Sequence, residues 1–317
     1  MTVIDTHGHL FMPAELYTYK ANLTGSRGAG MPRHAFKIPP ESLRARTDQH
    51  LASLAEARID VQLISPRPFH MMHSESPKSM VARWIEDNNN TIAKVCELEP
   101  DVFYGVAGLV QSPDMEIAPA ISELERCVND LGFIGCVINP DPTEGLGDPP
   151  GMGDPAWYPL YEKMVELDIP GLVHSASCLS RRKPYGLHFI HEEDIAILSL
   201  LSSKVFDEFP TLKIVIPHGG GSIPYQIGRW RSWEIREGRK TYDFDADLQK
   251  LWFDTVLYNQ ESIDFLLRML GTERVLFATE KPGTGSSRDS ETGAWLDDSA
   301  LTAILETNAR KVYTRLK

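Results

Sequence analysis

The segment Met1-Thr-Val-Ile-Asp-Thr-His-Gly-His9 opens the chain and holds the pattern from which the fold can be argued. Residues 2–5 are short, β-branched and apolar, so they predict a buried strand that leads directly into His7 and His9. In an extended segment residues i and i+2 point to the same side, and Gly8 allows the backbone to come close. The two imidazoles can therefore converge on one small object, and a metal ion fits best. Taken alone, an H-x-H motif also fits two histidines on a surface turn.

The pattern of a strand followed by a candidate ligand recurs later in the chain. A histidine or a carboxylate ends each of three apolar runs: Leu172-Val-His174, Ile214-Val-Ile-Pro-His218 and Val275-Leu-Phe-Ala-Thr-Glu280. This repetition favours a metal site over a surface turn.

Strand-like and helical segments alternate along the whole chain. Eight apolar runs predict strands at residues 2–5, 60–65, 102–109, 133–139, 171–173, 212–216, 251–255 and 274–278. Helical periodicity lies between them, at residues 41–58, 79–99, 115–130, 157–167, 192–209, 223–237 and 261–270. Strands that are apolar throughout are buried on both faces, as parallel strands under helices are. The sequence therefore predicts an α/β fold, a single (β/α)8 TIM barrel over residues 1–317, with catalytic groups at the carboxyl ends of the strands.

One long irregular insertion is expected near the amino terminus, at residues 10–40. This segment is rich in glycine and proline, and a loop of that length inside a compact domain usually serves as a lid or a binding loop.

Composition excludes several classes of function. A net charge of −12 without a basic stripe argues against nucleic acid as a partner. No apolar run approaches the roughly 18 residues that span a bilayer, and the first residues lack the plan of a signal peptide. We therefore expect a cytoplasmic enzyme with no membrane partner. The four cysteines have no C-x-x-C spacing, which favours free thiols over a thiolate zinc site.

The candidate ligands are His7, His9, His174 and Glu280. Neutral histidines with one carboxylate and an open position are the catalytic zinc pattern, in which the ion lowers the pKa of a bound water to about 7. Mn²⁺ or Fe²⁺ could take the same nitrogen and oxygen ligands. We expect one ion per chain. The alternatives are a core histidine at position 174, and a helix-capping or salt-bridged carboxylate at Glu280.

Two further residues are candidates for chemistry. His218 opens a His-Gly-Gly-Gly run, and its ordinary pKa near 6.5 suits a proton shuttle beside a metal-activated water; the alternative is a second metal ligand. Glu280 is also a candidate general base. Arg67 follows the second strand between two prolines and can clamp a substrate carboxylate, with a structural ion pair as the alternative.

The set His7-x-His9, His174, His218-Gly-Gly-Gly and the acid Glu280 resembles the amidohydrolase superfamily, in its aminocarboxymuconate-semialdehyde-decarboxylase-like branch. Three stretches are similar to 4-oxalomesaconate hydratases: Asn139-Pro-Asp-Pro142, Trp157-Tyr-Pro-Leu-Tyr-Glu-Lys-Met-Val-Glu-Leu167 and Ile216-Pro-His-Gly-Gly-Gly-Ser-Ile-Pro-Tyr225. Four others are similar to zinc-dependent meta-cleavage-product hydrolases: Ser65-Pro-Arg-Pro-Phe69, Leu187-His-Phe-Ile190, Phe253-Asp-Thr-Val-Leu-Tyr258 and Pro282-Gly-Thr-Gly-Ser286. Because the superfamily usually has Asp after the eighth strand, Glu280 favours the hydratase and C–C hydrolase over the decarboxylase.

The resemblance implies zinc on His7, His9, His174 and Glu280, with His218 as the acid or base. It also implies candidate substrate-binding residues, namely Arg67, Asn139, His188 and Tyr225. The small-molecule substrate would be an oxo-carboxylate from aromatic-compound degradation, to which activated water adds with hydration or C–C cleavage, and the protein would be a homodimer. The alternatives are a non-oxidative decarboxylase of aromatic or muconate-type acids and, in another class, an inactive barrel that serves as a binding module.

Overall fold

The computed structural model describes residues 1–31, 36–236, 243–282 and 298–317, and in them eight parallel strands form one sheet in the order β1 to β8. The strands are β1 Ile4–His9, β2 Val61–Ser65, β3 Phe103–Gly108, β4 Gly135–Ile138, β5 Gly171–Val173, β6 Ile214–Ile216, β7 Trp252–Asp254 and β8 Val275–Leu276. Each pairs in parallel with the next along the chain, from β1 with β2 to β7 with β8. The predicted (β/α)8 barrel is therefore confirmed.

Backbone hydrogen bonds between β1 and the chain around and beyond β8 bring the two ends of the sheet together. Thr6 N donates to Phe277 O at 3.0 Å, and Glu280 N donates to His7 O at 2.7 Å. This nearly closed barrel places Glu280 beside the histidines of the first strand, although 273 positions separate Glu280 from His7 in the sequence.

Helices lie between successive strands and after the last one. They are α1 Ala14–Ser26, α2 Pro40–Glu56, α3 Lys78–Leu98, α4 Ala118–Asn129, α5 Tyr158–Glu166, α6 Tyr185–Leu201, α7 Val205–Glu208, α8 Ile227–Arg236, α9 Phe244–Leu248, α10 Gln260–Leu270, α11 Asp298–Thr302 and α12 Asn308–Val312. A π-helical turn, Ala303–Thr307, joins the last two. Among the described helices, none combines the length and the apolar character needed to cross a membrane.

The expected irregular loop at residues 10–40 is wrong over its first half, because it contains α1. Leu16, Tyr19 and Leu23 are buried along one side of this helix, at a spacing of three and four residues that follows the helical period. The glycines that suggested a loop lie mainly beyond the helix end, where Gly28 and Gly30 have positive φ. Residues 32–35 of the expected loop lie outside the described part of the chain.

The barrel interior is filled by a cluster of buried apolar side chains. Each strand contributes one residue to this cluster: Ile4, Leu63, Val106, Val137, Leu172, Val215, Trp252 and Leu276. Side chains two positions apart point to the same face of a strand. The residues two positions after Leu172 and Trp252, His174 and Asp254, therefore also face the barrel axis, nearer the carboxyl ends of their strands.

The first strand reaches that level through a local irregularity. Its register against β2 shifts between Asp5 and Gly8, which brings His7 and His9, rather than their neighbours, to the face of Ile4. The strand thus includes both histidines, whereas the sequence predicted that it ends at residue 5. A Cβ built on Gly8 would stand 2.3 Å from Cδ of the buried Gln62 side chain, so the close strand contact requires glycine here.

Candidate metal centre and active site

Four side chains predicted as metal ligands converge at the carboxyl end of the barrel. His7 and His9 come from β1, His174 follows β5, and Glu280 follows β8. One ligand atom from each lies within 4.8 Å of the other three. The three histidines are buried, and the Nε2 atom of each is buried without a hydrogen-bond partner. Because buried polar atoms are normally paired, three unpaired nitrogens beside one carboxylate indicate a site built for a cation.

The other nitrogen of each imidazole is engaged by a different kind of group. Nδ1 of His7 lies 2.8 Å from Oδ2 of Asp254, Nδ1 of His9 lies 2.9 Å from Oγ of Ser65, and Nδ1 of His174 lies 2.8 Å from the carbonyl oxygen of Ser175. A carbonyl or carboxylate oxygen only accepts, so Nδ1 of His7 and of His174 carries the proton. Their Nε2 atoms then present lone pairs toward Glu280, as metal ligation requires.

The charges of the ligands suit a divalent ion. Burial lowers the pKa of His7 and of His9 well below its ordinary value, and the neighbouring imidazoles add to the effect, so both rings are neutral. Burial opposes the charge of Glu280, but the neighbouring His174 and His218 rings outweigh it and lower the pKa of that carboxyl. Neutral imidazoles with one carboxylate are a donor set for Zn²⁺ and for other divalent transition metals. The residues present therefore fit a metal ion.

His218 lies beside this group and follows β6. Its Nδ1 is 2.5 Å from Oε1 of the buried Glu193, and its Nε2 is 3.7 Å from Oε1 of Glu280. Burial works against a charged imidazole, but the two carboxylates outweigh it and raise the pKa of His218 well above its ordinary value. A protonated ring cannot ligate a metal, which favours the proton carrier over the second metal ligand considered from the sequence.

Strained backbone marks the same place. Glu280, His218 and Tyr258 have φ angles of 60°, 50° and 61°, in the left-handed region that favours glycine. Such residues cost roughly 1–3 kcal/mol each and persist where surrounding contacts hold them, often at functional sites.

A cavity of about 990 Å³ opens at this site, lined by His9, His174 and Glu280 of the ligand group, and most of its wall is apolar or aromatic. Arg67 lines it, donates from Nη2 to the carbonyl oxygen of Pro282, and has a buried Nε without a partner. The hydroxyl of Tyr258, also on the wall, donates to Oε2 of Glu280. Cavities of this size and character accommodate small organic molecules.

A family model described as amidohydrolase matches residues 4–315. The chain belongs to the amidohydrolase family. Members of this family hold a divalent metal ion, and the group of His7, His9, His174 and Glu280 gives this amidohydrolase the ligands to do so.

Named relatives of the amidohydrolase include hydratases and decarboxylases. A 2-keto-4-carboxy-3-hexenedioate hydratase from Sphingobium sp. is 37% identical over 100% of this chain and 97% of the relative. A gamma-resorcylate decarboxylase from Rhizobium sp. is 30% identical over 71% of this chain and 74% of the relative. The crystal structure of a 4-oxalomesaconate hydratase from Rhodopseudomonas palustris matches with a TM-score of 0.88 and 34% identity, over 99% of this chain and 96% of the other. The amidohydrolase is therefore a metal-dependent enzyme.

Three predicted substrate contacts are not on the cavity wall. Asn139 is buried, and its side-chain nitrogen lies 2.9 Å from Nδ1 of His73. His188 is completely buried in a separate group, with its ring nitrogens 3.9 Å from Asp141 and 3.6 Å from Glu192.

The third of these residues, Tyr225, is 76% exposed and packs beside Phe265. Arg67 does line the cavity, and the substrate-binding roles of Asn139, His188 and Tyr225 stay predictions. Of the stretch 282–286 that suggested the C–C hydrolase, only Pro282 lies within the described residues.

Three residues with evident roles were missed in the sequence: Ser65, Glu193 and Asp254, the partners of His9, His218 and His7. Asp254 could have been found, because it lies at the carboxyl end of the seventh strand, one residue before the predicted end of that strand. Burial raises the pKa of Asp254 to about 6, which leaves the carboxylate anionic at neutral pH. Glu193 gives no such signal, since it sits within a helix in the run His191-Glu-Glu-Asp194.

Proposed function

We propose that this amidohydrolase adds water to an oxo-carboxylate intermediate of aromatic-compound degradation, in the manner of a hydratase. The proposal rests on the arrangement at the floor of the cavity. Three unpaired Nε2 atoms face Glu280, and Nε2 of His218 lies 3.7 Å from Oε1 of the same carboxylate. The full-length similarity to a hydratase supports this outcome over the decarboxylase.

The residues that would hold the ion are His7, His9, His174 and Glu280. When bound, a divalent ion supplies Lewis acidity, which lowers the pKa of a water molecule at its open position. The chain itself supplies the orientation of the ligands, a buried floor and the groups that move protons.

The substrate chemistry follows from where water can add. The name of the Sphingobium relative describes a 2-keto-3-ene acid, in which the ketone withdraws electrons through the conjugated double bond. The far carbon of that bond is electron-poor, so oxygen adds there and a proton must reach the carbon next to the ketone. We assign the acceptance of the water proton to Glu280 and the delivery of a proton to His218, because Glu193 fixes the ring and leaves Nε2 on the cavity side. The proton on Glu280 then returns to Nε2 of His218, 3.7 Å from Oε1 of Glu280, which restores both groups for the next turnover.

Arg67 is proposed to bind a substrate carboxylate. Its guanidinium lines the cavity with a buried, unpaired Nε, and an arginine binds a planar oxyanion through two parallel hydrogen bonds. Arg67→Lys keeps the charge but loses that geometry. Since hydrogen bonds to charged groups contribute roughly 1.5–3 kcal/mol, we expect KM to rise by about 10-fold to 100-fold, with a smaller change in kcat, in steady-state assays. Arg44→Lys, in an exposed ion pair with Asp48, is the control, and an unchanged KM for Arg67→Lys would remove Arg67 from the substrate site.

Three expectations from the sequence belong to this proposal: zinc as the native ion, a homodimer, and a cytoplasmic location. Elemental analysis of the purified protein tests the first, sedimentation the second and cell fractionation the third. Manganese or iron in the native site, a monomer in solution, or recovery outside the cytoplasm would each overturn the corresponding expectation.

Turnover of a 2-oxo-3-enoate ring-fission product in ¹⁸O-water tests the reaction. We expect one product that is heavier than the substrate by one labelled water, as mass spectrometry would record. Two fragments, one of them labelled, would instead indicate a C–C hydrolase. Release of carbon dioxide without label would establish a decarboxylase, and no turnover together with no bound metal would indicate an inactive barrel; either result would overturn the proposal.

A further inference from the structure

Asp254 is a buried carboxylate outside the group of four ligands, and its two oxygens face different partners. It ends β7 and is 0% exposed. Its Oδ1 accepts a hydrogen bond from the backbone nitrogen of Val256 at 3.0 Å, and its Oδ2 lies 2.8 Å from Nδ1 of His7. The backbone at the strand end thus fixes the orientation of the carboxylate, with one oxygen aimed at the ligand histidine.

Burial of this anion needs an explanation, because an ionised carboxylate away from water is costly unless it is paired. Within the described ranges, Asp254 pairs with the His7 ring, and the charge of His218 and the backbone N–H groups of Val256 and Gly219 also stabilise the carboxylate. A cation bound at Nε2 of His7 would draw electron density through the ring and strengthen the Nδ1–H bond to Asp254. The arrangement is therefore favourable when a metal ion occupies the far side of the imidazole.

The groups that contact Nδ1 of the three ligand histidines differ in how strongly they accept a hydrogen bond. The Ser65 hydroxyl can donate or accept, so it does not decide which nitrogen of His9 carries the proton. The Ser175 carbonyl accepts only, but it is neutral. Only the partner of His7 is a charged acceptor, and hydrogen bonds to ionised groups are about twice as strong as those between neutral groups.

From these contacts we infer that Asp254 is a positioning residue of the metal centre, which holds His7 in the tautomer whose Nε2 can bind the ion and thereby raises the metal affinity. The inference rests on the metal centre in the proposed function but does not depend on which substrate or reaction follows. It predicts that the effect of Asp254 on metal affinity exceeds that of Ser65.

Asp254→Asn tests the inference directly, because the substitution preserves the shape of the side chain and reverses the direction of its hydrogen bond with Nδ1 of His7. The Val256 backbone N–H requires the side-chain oxygen on its side, so the amide nitrogen of Asn turns toward Nδ1 of His7. Nδ1 of His7 then has to accept the hydrogen bond from the amide. The imidazole proton therefore moves to Nε2, where it prevents that atom from binding the ion. We expect the dissociation constant for Zn²⁺, measured by competition with a chromophoric chelator on protein stripped and reloaded, to rise about 10-fold to 100-fold.

Two further measurements separate positioning from a general loss of structure. Nitrogen NMR of His7 in the stripped protein should show the proton on Nδ1 in the wild type and on Nε2 in Asp254→Asn, with unchanged circular dichroism. Ser65→Ala is the matched control and should weaken Zn²⁺ binding less than Asp254→Asn does.

Three outcomes would overturn the inference and leave the proposed function intact. The dissociation constant for Zn²⁺ or the His7 tautomer could be unchanged in Asp254→Asn, or Ser65→Ala could weaken Zn²⁺ binding more than Asp254→Asn does. If Asp254→Asn does not fold, the His7 tautomer in the wild type decides, and a proton on Nε2 there would also refute it. A wild-type protein that binds no divalent ion would instead refute the proposed function itself.

Discussion

His174→Ala is expected to leave the purified protein without its metal ion and without measurable turnover. His174 supplies one of the three unpaired Nε2 atoms, and Glu280 Oε1 lies 3.9 Å from that nitrogen. Removing the ring leaves three ligands in that group, and the other histidine-containing group found among the described residues, Asp141, His188 and Glu192, is separate from it. Elemental analysis should fall from about one ion per chain, as a single four-ligand site implies, to near zero.

Two controls separate the loss of the metal ion from unfolding of the variant and from the removal of a surface histidine. The ring of His174 is buried, so circular dichroism should confirm that the variant is folded before its metal content is compared. His191→Ala, which changes an exposed histidine on α6, is the matched control and should keep the ion and the activity of the wild type. A His174→Ala protein that retains both would mean that the four side chains do not form the metal centre, and chelation would then also leave the wild-type activity unchanged.

The strand order and the barrel follow directly from the sequence because each buried strand is a continuous apolar run. Element bounds were less predictable where tertiary contacts decide them. The predicted helix at 192–209 begins earlier in the structure, at Tyr185, and breaks after Leu201. Its first turns were missed because His188 and His191 dilute their apolar pattern. In the same way, three buried residues suffice to fold α1 within a segment that otherwise has loop composition.

Among the residues of the site, the sequence reliably identified only side chains that lie at strand ends. A strand end fixes both the position and the direction of a side chain, so His174 and Glu280 could be placed without a structure. Asn139 also follows a strand, yet its amide is taken up by His73, a contact that no spacing reveals. Glu193 acts through the nitrogen of His218 that faces away from the cavity, and the sequence says nothing about which nitrogen that is.

His218→Asn is expected to abolish most turnover while the metal ion stays bound. The asparagine amide can still donate a hydrogen bond to Glu193, so the buried carboxylate keeps a partner, but it cannot carry a proton to the substrate. Since a positioned acid or base contributes typically about 10²- to 10⁴-fold to the rate, kcat should fall by that factor with little change in KM. Because His218 lies outside the group of four ligands, elemental analysis should still find the wild-type content.

The pair of measurements distinguishes the two roles that the sequence left open for His218. Loss of the ion together with the activity would make His218 a metal ligand, and would contradict the protonated ring that Glu193 and Glu280 favour. Retention of full turnover would mean that the proton comes from elsewhere on the cavity wall. Tyr258, whose hydroxyl already donates to Glu280, would then be the first alternative, and Tyr258→Phe would show the loss in kcat that His218→Asn did not.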